Sequence, residues 1–162
     1  MPCFELALEP STHTWVVTRP LLTLAPTTKY FSPANLRAAA HDQAYLQLVN
    51  GYIQQQYTLR YAGGLVPDIV HMLVQGQGIY LSPVTEQSKA KLRRLYELCP
   101  LALVVECAGG KAVDPENGRP VLGDEIRGCE EKGGIICGSE KTVEDAVMKM
   151  VDSSAGGKTD KI

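Results

Sequence analysis

Residues 91–110, KLRRLYELCPLALVVECAGG, constrain this chain more than any other stretch. Leu98, Leu101, Ala102 and Val105 recur at the helical spacing i, i+3, i+4 and i+7, and Leu103 and Val104 fill the opposite side. A helix apolar almost all round is a buried one, so this helix is expected at the centre of the fold. Pro100 is tolerated in the first turn, where its missing N–H has no helical partner to lose. Gly109 and Gly110 follow and can take the left-handed conformation that ends a helix. Ahead of the helix, Lys91 and Arg93 alternate with Leu92, so in an extended segment both cations leave on one side. Glu97 stands at the helix start, where the positive end of the dipole favours a carboxylate. Two cations and a carboxylate at the mouth of a buried helix suit an anion and a metal. They also suit a surface strand leading into a core helix, which is the reading this stretch favours when taken alone.

The rest of the chain alternates strand and helix signals. Phe4, Leu6 and Leu8 alternate with Glu5 and Ala7, and residues 15–18 read as a second strand, so residues 3–18 predict a hairpin. PLLTLAP follows as loop or edge strand, and residues 31–40 open on a Ser-Pro turn or helix signal. Residues 42–56 predict an amphipathic helix capped by Asp42, with Tyr45, Leu48, Val49, Tyr52 and Ile53 as its buried stripe. Residues 57–61 read as a strand. Gly63 and Gly64 then lead to a helix with Pro67 at its first position and Gly76 at its end, burying Ile69, Met72 and Leu73. Strands are predicted at 78–83, from 111 to 113 and at 134–137, with a turn around Asn117-Gly118 and a charged loop over 123–132. Ser139 caps a last helix whose Val143, Val147 and Met150 face inward. Residues 153–162 read as a flexible tail, which leaves 1–152 as a single domain.

Charge and cysteine usage narrow the function classes. A net charge of −2 gives no electrostatic case for nucleic acid or an anionic membrane. No apolar run has the length of a membrane span, and the first residues read as neither signal nor transit peptide. Five cysteines, an odd number without CxxC spacing, argue against a disulfide framework or a zinc knuckle and suit a reducing compartment. Cys99 and Cys107, inside the apolar helix, read as inert small hydrophobes. The strand–Gly-Gly–helix unit lacks the spacing of a P-loop or a dinucleotide fingerprint, which argues against nucleotide binding. His13 and His41 sit beside turns and read as solvated, and Arg37 as an exposed extra cation.

Two motifs, in order, carry a family resemblance. YTLRYAGGLVPD, residues 57–68, contains the pattern RYxGxxxxD; KLRRLYE, residues 91–97, precedes the Pro-containing apolar helix and AGG. Together they resemble the signatures of the fructose-1,6-bisphosphatase and sedoheptulose-1,7-bisphosphatase family, with YTLRY and the run around Lys91 closer to the sedoheptulose branch. The resemblance covers residues 31–150. It implies an α/β fold, a mixed β-sheet flanked by helices, like the C-terminal half of that sugar-phosphatase fold. It also implies Mg²⁺-dependent hydrolysis of a sugar bisphosphate in carbohydrate metabolism, in the cytoplasm or the plastid stroma. By the same resemblance Asn35, Arg60 and Tyr61 hold the distal phosphate, and Arg60 reaches into a neighbouring subunit's site, which implies a homo-oligomer. The planar fork of an arginine suits that role. Lys91 is implied to contact the sugar and its phosphate, Arg93 to lie near the reacting end, and Glu97 to ligate the metal. Ala38 and Ser82 stand where the fructose branch has tyrosines, which departs from a fructose-type pocket. Arg94 replaces an apolar family residue, with no reason visible beyond a side chain long enough to snorkel.

Such a hydrolysis requires several carboxylates converging on hard cations. The family supplies most of them through a DPLDGSSN-type motif and an acidic pair in its N-terminal half, and no such motif occurs here; Asp114-Pro115-Glu116-Asn117-Gly118 shares only letters with it. The expectation is a sugar-binding half, inactive alone, that works with a metal-binding half from the same gene or from a separate chain. The alternative is a degenerate half retained as a subunit or ligand-binding module.

Overall fold

The computed structural model describes residues 3–155. A hairpin comes first, β1 (Glu5–Glu9) antiparallel to β2 (Thr14–Arg19). Five short strands then build the central sheet: β3 (Tyr30–Pro33), β4 (Thr58–Leu59), β5 (Ile79–Ser82), β7 (Lys111–Val113) and β9 (Ile135–Gly138), in the order β4-β3-β5-β9-β7. β3 is parallel to both β4 and β5, whereas β9 runs antiparallel to β5 and β7. The sheet is therefore mixed and flanked by helices, as expected. A small antiparallel pair, β6 (Leu92–Arg93) with β8 (Lys132–Gly133), stands apart.

The helices are α1 (Gln43–Gln54), α2 (Leu65–Gln75), α3 (Cys99–Cys107) and α4 (Glu140–Ala155). From β3 the chain crosses through α1 to β4 on one side, then returns through α2 to β5 on the other. Two right-handed crossovers in opposite directions must lie on opposite faces of a sheet. The core obeys this. Tyr80, Ile135 and Cys137 face α2 and α3, while their neighbours Ile79, Leu81 and Ile136 face α1 and α4. The predicted caps form at two helix ends. The Asp42 carboxylate accepts the Tyr45 N–H at 3.0 Å, a contact worth about 1 kcal/mol. Gly76, at φ 67°, ends α2 in the left-handed conformation that glycine adopts without strain.

Several expectations are corrected. The apolar helix is not buried all round. α3 and the turn before it pack Leu98, Ala102 and Val105 inward, but α3 is an outer layer of the fold and Leu103 remains 52% exposed. It is entered through a π-helical turn, Arg94–Leu98, so Pro100 lies in the first turn of α3 but not at the start of the helical path. Ile53 falls at the edge of the α1 stripe and is exposed. Pro67 is the third residue of α2, which starts at Leu65 after an extended Gly64. β4 is only two residues long, because the chain beyond it turns to wrap a carboxylate. The Ser139 hydroxyl accepts the Gly78 N–H at 3.3 Å, tying α4 to the start of β5. α4 continues to Ala155, since Ser153, Ser154 and Ala155 contain no helix breaker and Gly156 is the first. Residues 156–162 of the expected tail lie outside the described residues.

Arg94 does not snorkel. Its side chain is 12% exposed and forms an ion pair with Asp114, which is 1% exposed. Nε lies 3.2 Å from Glu131 and Nη1 3.7 Å from Asp124, ion-pair contacts without hydrogen-bond geometry. Burial opposes the charge, but the hydrogen bond that Arg94 donates to Asp114 and the attraction of the carboxylates outweigh it, holding the guanidinium above its ordinary range. One arginine thus ties the turn into α3 to β7 and to the loop ahead of β8.

Candidate functional site

In open α/β sheets ligands bind beyond the carboxyl ends of the strands, where the strand order reverses. β3 is that reversal point here. The segments that leave the three parallel strands line one cavity of about 270 Å³: Ala34 and Asn35 after β3, Tyr61 and Gly63 after β4, Ser82 and Pro83 at the end of β5. Lys89 and Lys91, from the loop before β6, line the same cavity.

Asn35 adopts φ 52°, a left-handed conformation that asparagine tolerates. Its Nδ2 donates to the Pro83 carbonyl at 2.7 Å, and its Oδ1 accepts the Ser88 hydroxyl at 2.6 Å. Tyr61 is placed by Asp68, a residue whose role was not read from the sequence. The buried Asp68 carboxylate, in the first turn of α2, accepts the N–H groups of Ala62 at 2.5 Å, Gly63 at 3.3 Å and Gly64 at 3.2 Å. The spacing of the RYxGxxxxD pattern is the spacing that lets this loop close on its own anchor, whose charge also suits the helix dipole.

Arg60 does not join them. Its guanidinium lies over the Tyr30 ring, 5.2 Å from the centroid, and Nη1 donates to the Leu59 carbonyl at 3.4 Å. Ala38 is fully buried in the core, so that position lines no cavity, whereas Ser82 does, beside the buried Tyr80. Asn35, Tyr61 and Lys91 are therefore brought together, and Arg60 is not.

Leu65 and Leu92 form a wall shared with a second cleft of about 500 Å³, where Glu97 lies beside Tyr96 and Pro100. One oxygen of Glu97 accepts the Arg93 N–H at 2.7 Å, capping the π-helical turn. The Arg93 guanidinium pairs with Glu130 at 3.2 Å and lies over the Tyr96 ring. Arg37, Lys89, Ala90 and Lys91 form another wall, shared with a basin of about 460 Å³ that also contains His41. The central cavity therefore adjoins both the cation-lined basin and the cleft that holds Glu97, which share no lining residue with each other.

Among the described residues no group of three or more His, Cys, Asp or Glu side chains is arranged to hold a metal ion. Glu97, already engaged by a backbone N–H, does not make a metal site by itself. Among those residues, too, no helix is long and apolar enough to cross a membrane.

The family model described as fructose-1-6-bisphosphatase, C-terminal domain, matches residues 24–152. The chloroplastic sedoheptulose-1,7-bisphosphatase of Spinacia oleracea is 39% identical over 111 residues, covering 68% of this chain and 28% of that protein. The class 1 fructose-1,6-bisphosphatase of Trichlorobacter lovleyi is 34% identical over 137 residues, covering 82% and 41%. A crystal structure from Toxoplasma gondii, assigned to sedoheptulose-1,7-bisphosphatase, superposes with a TM-score of 0.86 at 33% identity, covering 93% of this chain and 45% of that one. Leishmania major fructose-1,6-bisphosphatase in its T-state gives a TM-score of 0.76 at 29% identity, covering 91% and 46%. The chain spans less than half the length of these relatives.

Proposed function

The chain belongs to the fructose-1,6-bisphosphatase family, whose C-terminal domain it matches, and from that premise we propose that it is the sugar-phosphate-binding half of a Mg²⁺-dependent sugar bisphosphatase. The observation that carries the reading is the set of adjoining spaces: a central cavity at the ends of the parallel strands that borders a cationic basin and a cleft holding Glu97. A sugar phosphate suits the cationic side, and a second phosphate beside Glu97 would need a metal ion between the two negative groups. In this reading Asn35, Tyr61 and Lys91 surround the sugar and its distal phosphate, and Arg93 stands near the reacting end. Glu97 offers one ligand to a metal whose other ligands come from an acidic metal-binding half. Arg60, turned away from this chain's own cavity, serves a neighbouring subunit of a homo-oligomer. The relatives named for bacterial and chloroplast proteins support a cytoplasmic or stromal setting.

The carboxylate count favours a second reading, a non-catalytic ligand-binding subunit, since Glu97 alone does not hold Mg²⁺. Both readings predict that the 162-residue chain releases no phosphate from sedoheptulose 1,7-bisphosphate with Mg²⁺. They part when the N-terminal half of a relative is added in trans. Phosphate release that Glu97→Gln abolishes supports the half-enzyme; continued silence from a stable complex of the two halves supports the subunit. Turnover by the chain alone, lost in Glu97→Gln, would overturn both.

A further inference from the structure

The hairpin is held at its base. From Leu6 to Pro20 every residue is exposed, whereas Cys3 and Leu22, which flank it, pack against the core that α2 and α3 share. Residues 21–24 run extended, with Leu22 and Leu24 turned inward and Leu21 and Thr23 exposed. The Leu22 N–H donates to the Cys3 carbonyl at 2.8 Å, and the Leu24 N–H to the Ala108 carbonyl at 2.8 Å. N–H groups two residues apart on an extended segment leave on the same side, about 6.6 Å from one another. Cys3 and the end of α3 are therefore neighbours along one side of residues 22–24.

Cys107 is the residue before Ala108 and, like Cys3, is half-buried. The two sulfurs lie within electrostatic reach: burial, and after it the Cys107 thiol, push the Cys3 thiol above its ordinary range. The remaining cysteines stand elsewhere. Cys99 lies eight residues earlier, about 12 Å along α3, where Arg94 and Glu131 act on it. Cys137 is enclosed in the sheet, and Cys129 is exposed in the loop ahead of β8. In the sequence Cys107 belongs to an apolar helix; its exposure and its neighbour emerge only in the fold.

We infer that Cys3 and Cys107 form a modification site, a thiol pair whose oxidation to a disulfide fastens the hairpin to the end of α3. A disulfide joins Cα atoms about 4.4–6.8 Å apart, a range that includes the spacing along residues 22–24. The co-reactant is a small disulfide such as oxidised glutathione. One cysteine thiolate, its proton lost to water, attacks a sulfur of that disulfide and expels one glutathione thiolate. The second cysteine, deprotonated in turn, attacks the protein sulfur of the mixed disulfide and expels the other. Two protein S–H bonds and the small S–S bond are exchanged for one protein S–S bond and two glutathione thiols, so the two electrons taken from the cysteines reduce the oxidant. The new bond closes a long loop, from residue 3 to residue 107, and so constrains the unfolded chain strongly. Neither cysteine lines the cavity, the basin or the cleft, so the pair acts apart from the sugar-phosphate reading.

Treatment of the folded 162-residue chain with oxidised glutathione tests it, in a Cys129→Ser background that keeps the exposed thiol out of the exchange. The intact mass should fall by two hydrogen atoms, and peptide mapping should recover Cys3 joined to Cys107, released again by dithiothreitol. The bridged chain should unfold at a higher denaturant midpoint than the reduced one. Trp15, on β2, is the chain's one tryptophan, and the fast component of its anisotropy decay should shrink as the hairpin is fastened. All three changes should vanish in Cys107→Ser, and the mapped bridge decides the pairing even without that variant. Glutathione adducts on Cys3 and Cys107 with no bridge between them would overturn the pair, as would a bridge to Cys99 or Cys137 or a chain that stays reduced. A bridge that leaves Trp15 as mobile as before would overturn the fastening of the hairpin.

Discussion

Two charged regions of this molecule treat their cations in opposite ways. Around Arg94, one guanidinium is surrounded by Asp114, Asp124 and Glu131 and largely withdrawn from water. Around the basin, Arg37, Lys89 and Lys91 face solvent with no carboxylate among the lining residues. The first set is closed: its charges answer one another, and its business is holding three segments together. The second is open, and among the described residues no carboxylate pairs with its charges. The comparison teaches that an arginine's meaning lies in its counter-ions. Arg94 and Arg37 are the same residue type, and only the second is left to an outside partner.

The sharpest way to break this contrast is to remove the centre of the closed set. Arg94→Met leaves Asp114 buried without its cation, and breaking a buried pair from one side costs about 3–5 kcal/mol. Denaturant unfolding should show a loss of that order; a midpoint equal to wild type would mean that the cluster holds nothing together. The open set should behave in reverse. Lys91→Ala is expected to leave the unfolding midpoint unchanged and to weaken sedoheptulose 7-phosphate binding by about tenfold or more. That binding should also weaken with added salt, which screens exposed charges, while the contribution of Arg94 should not.

A third test moves the pH and should leave both regions aside. Complete burial pushes the Cys137 thiol up to about 12, and burial raises the Tyr45, Tyr52 and Tyr80 phenols as well. The folded state therefore keeps protons that the unfolded chain releases. Stability is at its full value below the unfolded thiol range, near 8.5, and falls as pH rises towards 12. Wild type and Lys91→Ala should lose stability in parallel across that window; divergence would show that the basin is coupled to the core. The smallest effect belongs to Arg93→Gln. Its pair with Glu130 is exposed, so the unfolding midpoint should not move measurably.

The same contrast explains how much could be read from the sequence. Helix α1 was legible because Tyr45, Leu48, Val49 and Tyr52 repeat at helical spacing behind a capping Asp42, all within one local stretch. The hairpin and the Gly76 terminus were legible for the same reason. Arg94 was illegible because its partners Asp114, Asp124 and Glu131 lie well away in sequence and meet it only after β7 and β8 are in place. Lys91 and Asn35 were found through motif resemblance, yet no motif revealed that Asn35 would be engaged by Ser88. Arg37 and Lys89 look like ordinary exposed cations in sequence; what sets them apart is that both line one cavity together with Lys91 and without a carboxylate, and that is a three-dimensional fact. Leu103 misled in the other direction, since an apolar periodicity cannot say how many layers cover a helix.

The position of β9 bears on how the chain is made. It lies between β5 and β7, and neither of those strands pairs with the other. Until residue 138 has left the ribosome, β5 therefore presents a bare hydrogen-bonding edge and β7 has no neighbour in the sheet. Local helices such as α1 and α2 can form during synthesis, but the sheet must wait for a strand encoded far from its partners. Long-range pairing of this kind is slow, and an uncovered edge invites other chains. Yield in the cell should therefore depend on how well nascent chains are shielded during that wait.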